Sequence, residues 1–242
     1  NLIKLNIVSI IPARQNSQSI KNKNLAKLGN KPLIYYSIKQ SLNCKQIHRT
    51  IVSTDSPHIA SVAKKIGAEV PFLRPKKYSR NSSRDIEFLY HCLNWLKLNE
   101  NYFPDLVVQL RPTQPLRSVS QIKKAIILMT KDKNADSLRT ISLPERSPYK
   151  MWIKRKKELI YFMKNLDQGE EFYNADRKKL PEVFWHDGAI DVIRGRTILN
   201  KSCTGKKMIY LENDYKYLID IDEKKDLELA NLLLKSKKIK LL

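Results

Sequence analysis

The chain has 242 residues, enough for one large α/β domain whose core needs neither disulfides nor a structural metal. Its 46 Lys and Arg against 24 Asp and Glu leave a formal charge of +22, which draws anions of every kind without choosing among them. Three widely spaced cysteines exclude a disulfide framework or a paired CxxC zinc site, and no apolar stretch approaches the roughly 18 residues that cross a bilayer.

The apolar run Leu5 to Ile11 reads as a short buried strand that ends at Pro12. Directly after it comes "ARQNSQSIKNK", a loop of cations, amides and hydroxyls with no acid, suited to a polyanion such as a triphosphate. "KPLIYYSIKQSLN" has helical spacing, "RTIVST" is a strand, and Ser56 before Pro57 starts a helix that runs to Gly67. The alternation continues with "EVPFL" as an extended run, a helix "RDIEFLYHCLNWLKL", a strand "DLVVQL" and a helix from about Ser118 to Thr130. From Ala135 to about Val183 it breaks into short, charged, proline-bearing segments, expected to form an inserted lobe or a subunit contact. It then resumes with "AIDVI", "KMIYLE", "YLIDID" and a last helix, "EKKDLELANLLLK". This is the rhythm of one domain, residues 1–242, built on a mostly parallel sheet.

In such sheets ligands collect where strands end, so the loops after strands are the candidate site. Besides the opening loop these are "STD" at 53–55, "RPTQPLR" at 111–117 and "IDID" at 219–222. Asp220 and Asp222 alternate with apolar residues, so both point to one face. Two carboxylates there repel unless a cation lies between them, and Mg2+ with phosphate oxygens is one solution. The other use of these acids is to cap the following helix, with Asp222 the nearer. Along the chain as a whole aromatic residues do not alternate with the cations as a base-stacking platform would require, and the densest basic stretch, "KMWIKRKK" at 150–157, reads as an exposed hairpin strand, with a grip on phosphates as its alternative.

Six motifs in order, "IPARQNSQSIKNKNL", "IVSTD", "AKKIGAEVPFLRP", "LRPTQPLR", "RKKLPEVFWHDGAI" and "DIDEKKDLELA", span nearly the whole chain. Together they resemble the acylneuraminate cytidylyltransferases, the CMP-sialic acid synthetase family. The resemblance implies a Rossmann-like α/β nucleotidyltransferase fold, a mostly parallel mixed sheet flanked by helices. It also implies a homodimer whose small inserted lobe, residues 135–183, reaches into the neighbouring subunit. The implied activity is transfer of CMP from CTP to an acidic nine-carbon sugar with Mg2+ on Asp220 and Asp222. The cysteine usage and the lack of a long apolar stretch are read as a cytoplasmic protein with no membrane partner, and the diffuse spread of basic residues as no nucleic-acid partner.

By the same resemblance Arg14 and Lys23 contact the triphosphate and act with Asp222 in catalysis, Ser17 and Asn24 lie near the nucleotide, and Arg74 contributes to the nucleoside pocket. Ser82, Ser83 and Asp85 are candidates for reading the base, with Ser83 the residue assigned. Arg111, Gln114, Arg177 and Asp187 fall where the acceptor sugar is expected. The chain departs from the family pattern at Gln18, Ser19, Asn81, Arg111, Gln114, Trp185 and Asp187. Two alternatives stand beside this reading: nucleotidyl transfer with another NTP or a sugar phosphate, and a non-catalytic, basic nucleic-acid-binding relative.

Overall fold

A computed structural model describes residues 5–17, 19–164, 171–213 and 219–239. The opening apolar run forms β1 (Ile7–Pro12), every residue of which is buried except half-buried Pro12. After the loop and a 3-10 turn at Lys23–Leu25 come a small hairpin, β2 (Lys27–Leu28) and β3 (Lys31–Pro32), and helix α1 (Leu33–Leu42). Next are β4 (Arg49–Ser53), α2 (Pro57–Ile66), α3 (Asp85–Glu100), β5 (Leu106–Gln109), α4 (Val119–Lys131) and β6 (Ser137–Ser142). Then follow β7 (Trp152–Arg155), β8 (Glu158–Tyr161), β9 (Trp185–Arg194), α5 (Gly195–Leu199), β10 (Met208–Glu212) and α6 (Lys224–Lys235).

Six strands form the main sheet in the order β10-β6-β9-β5-β1-β4. β9 runs antiparallel to its neighbours β5 and β6, and the other pairs are parallel. Both faces are covered. Ile7 and Ile11 of β1 join α1, α2 and α4 on one side, whereas Val8 and Ile10 pack against α3 and α5 on the other. That arrangement explains why these strands read as continuous apolar runs rather than as alternating ones. Ser56 Oγ accepts from Ile59 N, and Gly67 closes α2 at φ 112°, the left-handed conformation a helix end favours in glycine.

Three expectations need correction. "EVPFL" forms no strand but a single bridge from Glu69 to Ile51, because Pro71 has no N–H to continue a ladder. The excursion placed at 135–183 starts later, since residues 137–142 are β6, paired on both sides within the main sheet. The "IDID" segment pairs in no ladder, yet its facing is as the alternation requires: Ile219 and Ile221 are buried with Leu28, Leu33 and Ala230, and the two acids face away from them. Gln18 lies outside the described residues.

The C-terminal segment is anchored at two points. Ile221 N donates to Thr113 O at 2.9 Å, laying the acids against the "RPTQPLR" loop, and Asn231 Oδ1 of α6 accepts from Gly29 N at 2.9 Å. Gly29 sits at φ +58°, and a Cβ there would lie 2.9 Å from Leu234 Cδ2, so the β2–β3 turn and α6 approach as closely as glycine permits.

Candidate active site

The end of β1 and the loop after it, the segment 74–88, the loop after β5 and the C-terminal acids line an open cleft of about 400 Å³. Its walls bring together nine of the residues singled out in the sequence: Arg14, Ser17, Lys23, Asn24, Arg74, Ser83, Arg111, Asp220 and Asp222. Gln114, Arg177 and Asp187 do not line it.

The opening loop and the acid pair meet although 199 positions separate them. Lys23 Nζ lies 2.9 Å from Asp222 Oδ1 and 3.2 Å from the Asp222 carbonyl, and Ser19 Oγ donates to the same carbonyl. The loop is held in shape locally: Asn22 adopts φ 53°, Asn24 Nδ2 donates to Arg14 O at 3.0 Å, and Gln15 N donates to Asp55 Oδ1 at 2.8 Å. Asp55 belongs to the "STD" motif, so that loop braces the cation loop. Arg14 Nη1 donates to Arg80 O at 2.9 Å.

The capping alternative for the acids is resolved by the start of α6. Asp226 Oδ2 accepts from Asp222 N at 3.1 Å and from Glu223 N at 2.7 Å, so a later residue caps the helix and the Asp222 carboxylate is turned to the cleft. Asp220 is more deeply set. Burial raises its pKa, opposed by a hydrogen bond from Thr113 and reinforced by the charge of Asp222. Its Oδ1 is buried with no hydrogen-bond partner among the described residues. An unpartnered carboxylate oxygen beside a second carboxylate is a hard oxygen donor set, and it fits a cation such as Mg2+. Among the described residues no three His, Cys, Asp or Glu side chains cluster, so phosphate and water oxygens would fill most of that cation's shell.

Arg74 is 5% exposed, stacks on the Phe88 ring at 5.0 Å and hydrogen-bonds Ser53 through Nε at 3.1 Å and through Nη2 to the Ser53 carbonyl. Burial brings its pKa down to about 10, leaving it charged at neutral pH. It is a built wall of the cleft, fixed before any ligand arrives. Ser83 Oγ is engaged locally, accepting from Arg80 N and donating to Lys77 O.

The acceptor-side assignments change. Arg111 is committed to two acids, Asp85 Oδ2 at 2.6 Å and Asp191 Oδ2 at 2.7 Å, and these pairs raise its pKa against the effect of burial. Its charge is neutralised inside the cluster rather than left open for an acidic sugar. Gln114 is 2% exposed and donates to Asp187 O. Asp187 is 1% exposed and accepts from Thr140, Ser142, Asn213 and Ala189 N, a junction that ties β6 to β9 and offers no surface to a substrate. Arg177 lies on the excursion, where its Nη2 donates to Glu145 O at 2.5 Å. Sequence reasoning did not single out Tyr78, Arg80, Phe88 or Thr113, all on the cleft wall. The one available signal was that Tyr78 and Arg80 stand in the basic run after "FLRP".

Asp191 supports a prediction on stability. Burial alone would raise its pKa, but the hydrogen bond with His186 Nε2 at 2.9 Å and the Arg111 guanidinium hold it at about 2. A depressed acid stabilises the fold above its unfolded value and loses that contribution as pH falls through the folded one. Between about pH 4 and pH 2, thermal unfolding should lose about 2 kcal/mol that an Asp191→Asn variant never had. Equal pH slopes for the two proteins in that window would remove the assignment.

Comparison with known proteins places these observations in context. The family model described as "Cytidylyltransferase" matches residues 8–239. The "Post-translational flagellin modification protein B" of Campylobacter coli is 29% identical over 237 residues, 96% of this chain and 97% of that protein. The N-acylneuraminate cytidylyltransferase of Escherichia coli O18:K1:H7 is 28% identical over 229 residues, 94% of this chain, which spans about half (52%) of that protein's length. A solved CMP:2-keto-3-deoxy-manno-octonic acid synthetase complexed with CTP superposes with a TM-score of 0.70 over 96% of this chain and 99% of that one. At 15% identity it speaks for the fold alone.

Proposed function

The chain belongs to the cytidylyltransferase family, and from that premise we propose that it transfers CMP from CTP to the anomeric hydroxyl of a sialic-acid-like nonulosonic acid, releasing pyrophosphate. The observation that carries the reading is the junction at 2.9 Å between Lys23 of the opening loop and Asp222 of the C-terminal acid pair. It supports a reading in which cations for phosphates and carboxylates for a metal share one cleft that a single nucleotide can span.

In the reaction the hydroxyl oxygen bonds to the α-phosphorus and loses its proton to water, the bond from the α-phosphorus to the α–β bridging oxygen breaks, and pyrophosphate leaves in line carrying that oxygen. No covalent intermediate with the protein is needed. Lys23 and Arg14 hold the β- and γ-phosphate oxygens and stabilise the charge that develops on the leaving group. Arg74 and Phe88 form the wall against which the nucleoside is oriented. Asp220 and Asp222 would hold Mg2+, which when bound would neutralise phosphate oxygens at the reacting centre. The acceptor lies beyond Arg111, whose pairing with Asp85 and Asp191 shapes the cleft floor.

The reading is tested by adding CTP, Mg2+ and a panel of nonulosonic acids to the protein and measuring pyrophosphate. Release that depends on both CTP and one of these sugars is expected. Release with another NTP, or with sugar phosphates alone, would reassign the substrate.

A homodimer is part of the proposal. The excursion after β6 displays apolar side chains, among them Leu159 at 64% and Phe162 at 54% exposed, together with Ile153 and Trp152 on the β7–β8 hairpin. Exposed apolar area concentrated on one lobe favours burial against another copy. Light scattering on the intact protein should give twice the chain mass, and the double variant Ile153→Asp with Leu159→Asp should give a monomer. A monomeric parent would remove the dimer. A cytoplasmic setting accords with three unpaired cysteines, Cys44, Cys92 and Cys203, and among the described residues no helix is long and apolar enough to cross a membrane.

A further inference from the structure

We propose that the Lys23–Asp222 ion pair is a latch that couples loading of the nucleotide to loading of the divalent cation, each ligand releasing the residue the other needs. The inference rests on the nucleotidyltransferase reading and concerns how that site fills.

The two halves of the acid pair differ. Asp220 Oδ1 is buried and has no hydrogen-bond partner among the described residues. Asp222 Oδ1 already carries an ammonium at 2.9 Å, and the same Nζ reaches the Asp222 carbonyl at 3.2 Å. The Asp222 carboxylate is exposed at 66%, while its partner and its own main chain are held. Lys23 has a side chain only 12% exposed, and the Asp222 main chain is fixed by Ser19 Oγ on one side and Asp226 on the other.

A divalent cation bound at Asp222 Oδ1 would lie beside Nζ, so the two positive charges repel and one must move. A triphosphate supplies the destination, because phosphate oxygens accept the ammonium as Asp222 turns to the cation. Filling either position alone means breaking the pair without that compensation; filling both exchanges one set of charge-assisted contacts for another. By linkage each ligand then tightens the other by the same factor, about fivefold or more.

Metal-free CTP affinity, measured calorimetrically in EDTA, tests this in the parent, Asp222→Asn, Lys23→Met and the double variant. Lys23→Met keeps the side-chain stem, and equal thermal unfolding of the four proteins verifies the fold. The latch predicts that Asp222→Asn tightens CTP about fivefold or more while Lys23 is present and gives no gain when residue 23 is Met. An equal gain in both backgrounds would mean direct repulsion between Asp222 and phosphate, and no gain would mean that the pair does not compete; either overturns the latch.

The reciprocal arm titrates Mn2+ into nucleotide-free protein and follows the free ion by paramagnetic resonance. Lys23→Met should bind Mn2+ about fivefold or more tightly than the parent. Arg14→Met, which removes a cleft cation with no acid partner among the described residues, should not. The same gain in both variants would reduce the effect to general charge and sink the proposal. If none of the four proteins binds CTP with or without metal, the nucleotide reading fails first and the latch with it; normal CTP binding without the Asp222→Asn gain defeats the latch alone.

Discussion

Asp222→Asn is expected to reduce CTP- and sugar-dependent pyrophosphate release by three orders of magnitude or more, about 4 kcal/mol of barrier, with thermal stability little changed. The side chain is exposed at 66% and caps no helix, so the substitution removes a carboxylate charge without disturbing packing. Asp220→Asn should act in the same direction but also alters a buried group, so its unfolding temperature must be measured alongside. Full activity in Asp222→Asn, with metal dependence retained, would take the metal assignment away from this acid.

Lys23→Met and Arg14→Met should each lower kcat about a hundredfold, close to 3 kcal/mol, the typical consequence of deleting one preorganised donor to a developing charge. The loss belongs to kcat because the leaving pyrophosphate carries more charge in the transition state than CTP carries there in the ground state. A rise in KM with kcat unchanged would show that these cations only hold the nucleotide. Lys23 bears on both halves of the account, since the same substitution that slows turnover should improve Mn2+ binding to the empty site.

Much of the site was legible because its chemistry is local in sequence. An acid-free run of donors after a strand, and acids alternating with isoleucines before a helix, carry their facing in their spacing, and both clusters line the cleft. That Lys23 would meet Asp222 does not follow from either run alone; it depends on the C-terminal segment lying against Thr113 and α6 lying against Gly29. The misassigned residues share a cause. The resemblance put Arg111, Gln114 and Asp187 at the acceptor sugar, but Gln114 and Asp187 are buried, Arg111 is partly buried, and each is engaged by partners more than 20 positions away. A polar residue in a motif can face a ligand or knit two strands together, and one sequence does not distinguish these uses. The "EVPFL" run is different in kind, since Pro71 and its missing donor, visible in the sequence, limit that extended run to a single bridge.

The central claim is that one nucleotide bridges the opening loop and the C-terminal acids. A crystal structure of the protein with CTP and Mg2+ tests it most directly. The account predicts triphosphate oxygens within hydrogen-bond reach of Lys23 and Arg14, and a metal about 2.1 Å from carboxylate oxygens of Asp220 and Asp222. A nucleotide bound with its phosphates away from Asp222, or a metal held by other residues, would contradict it.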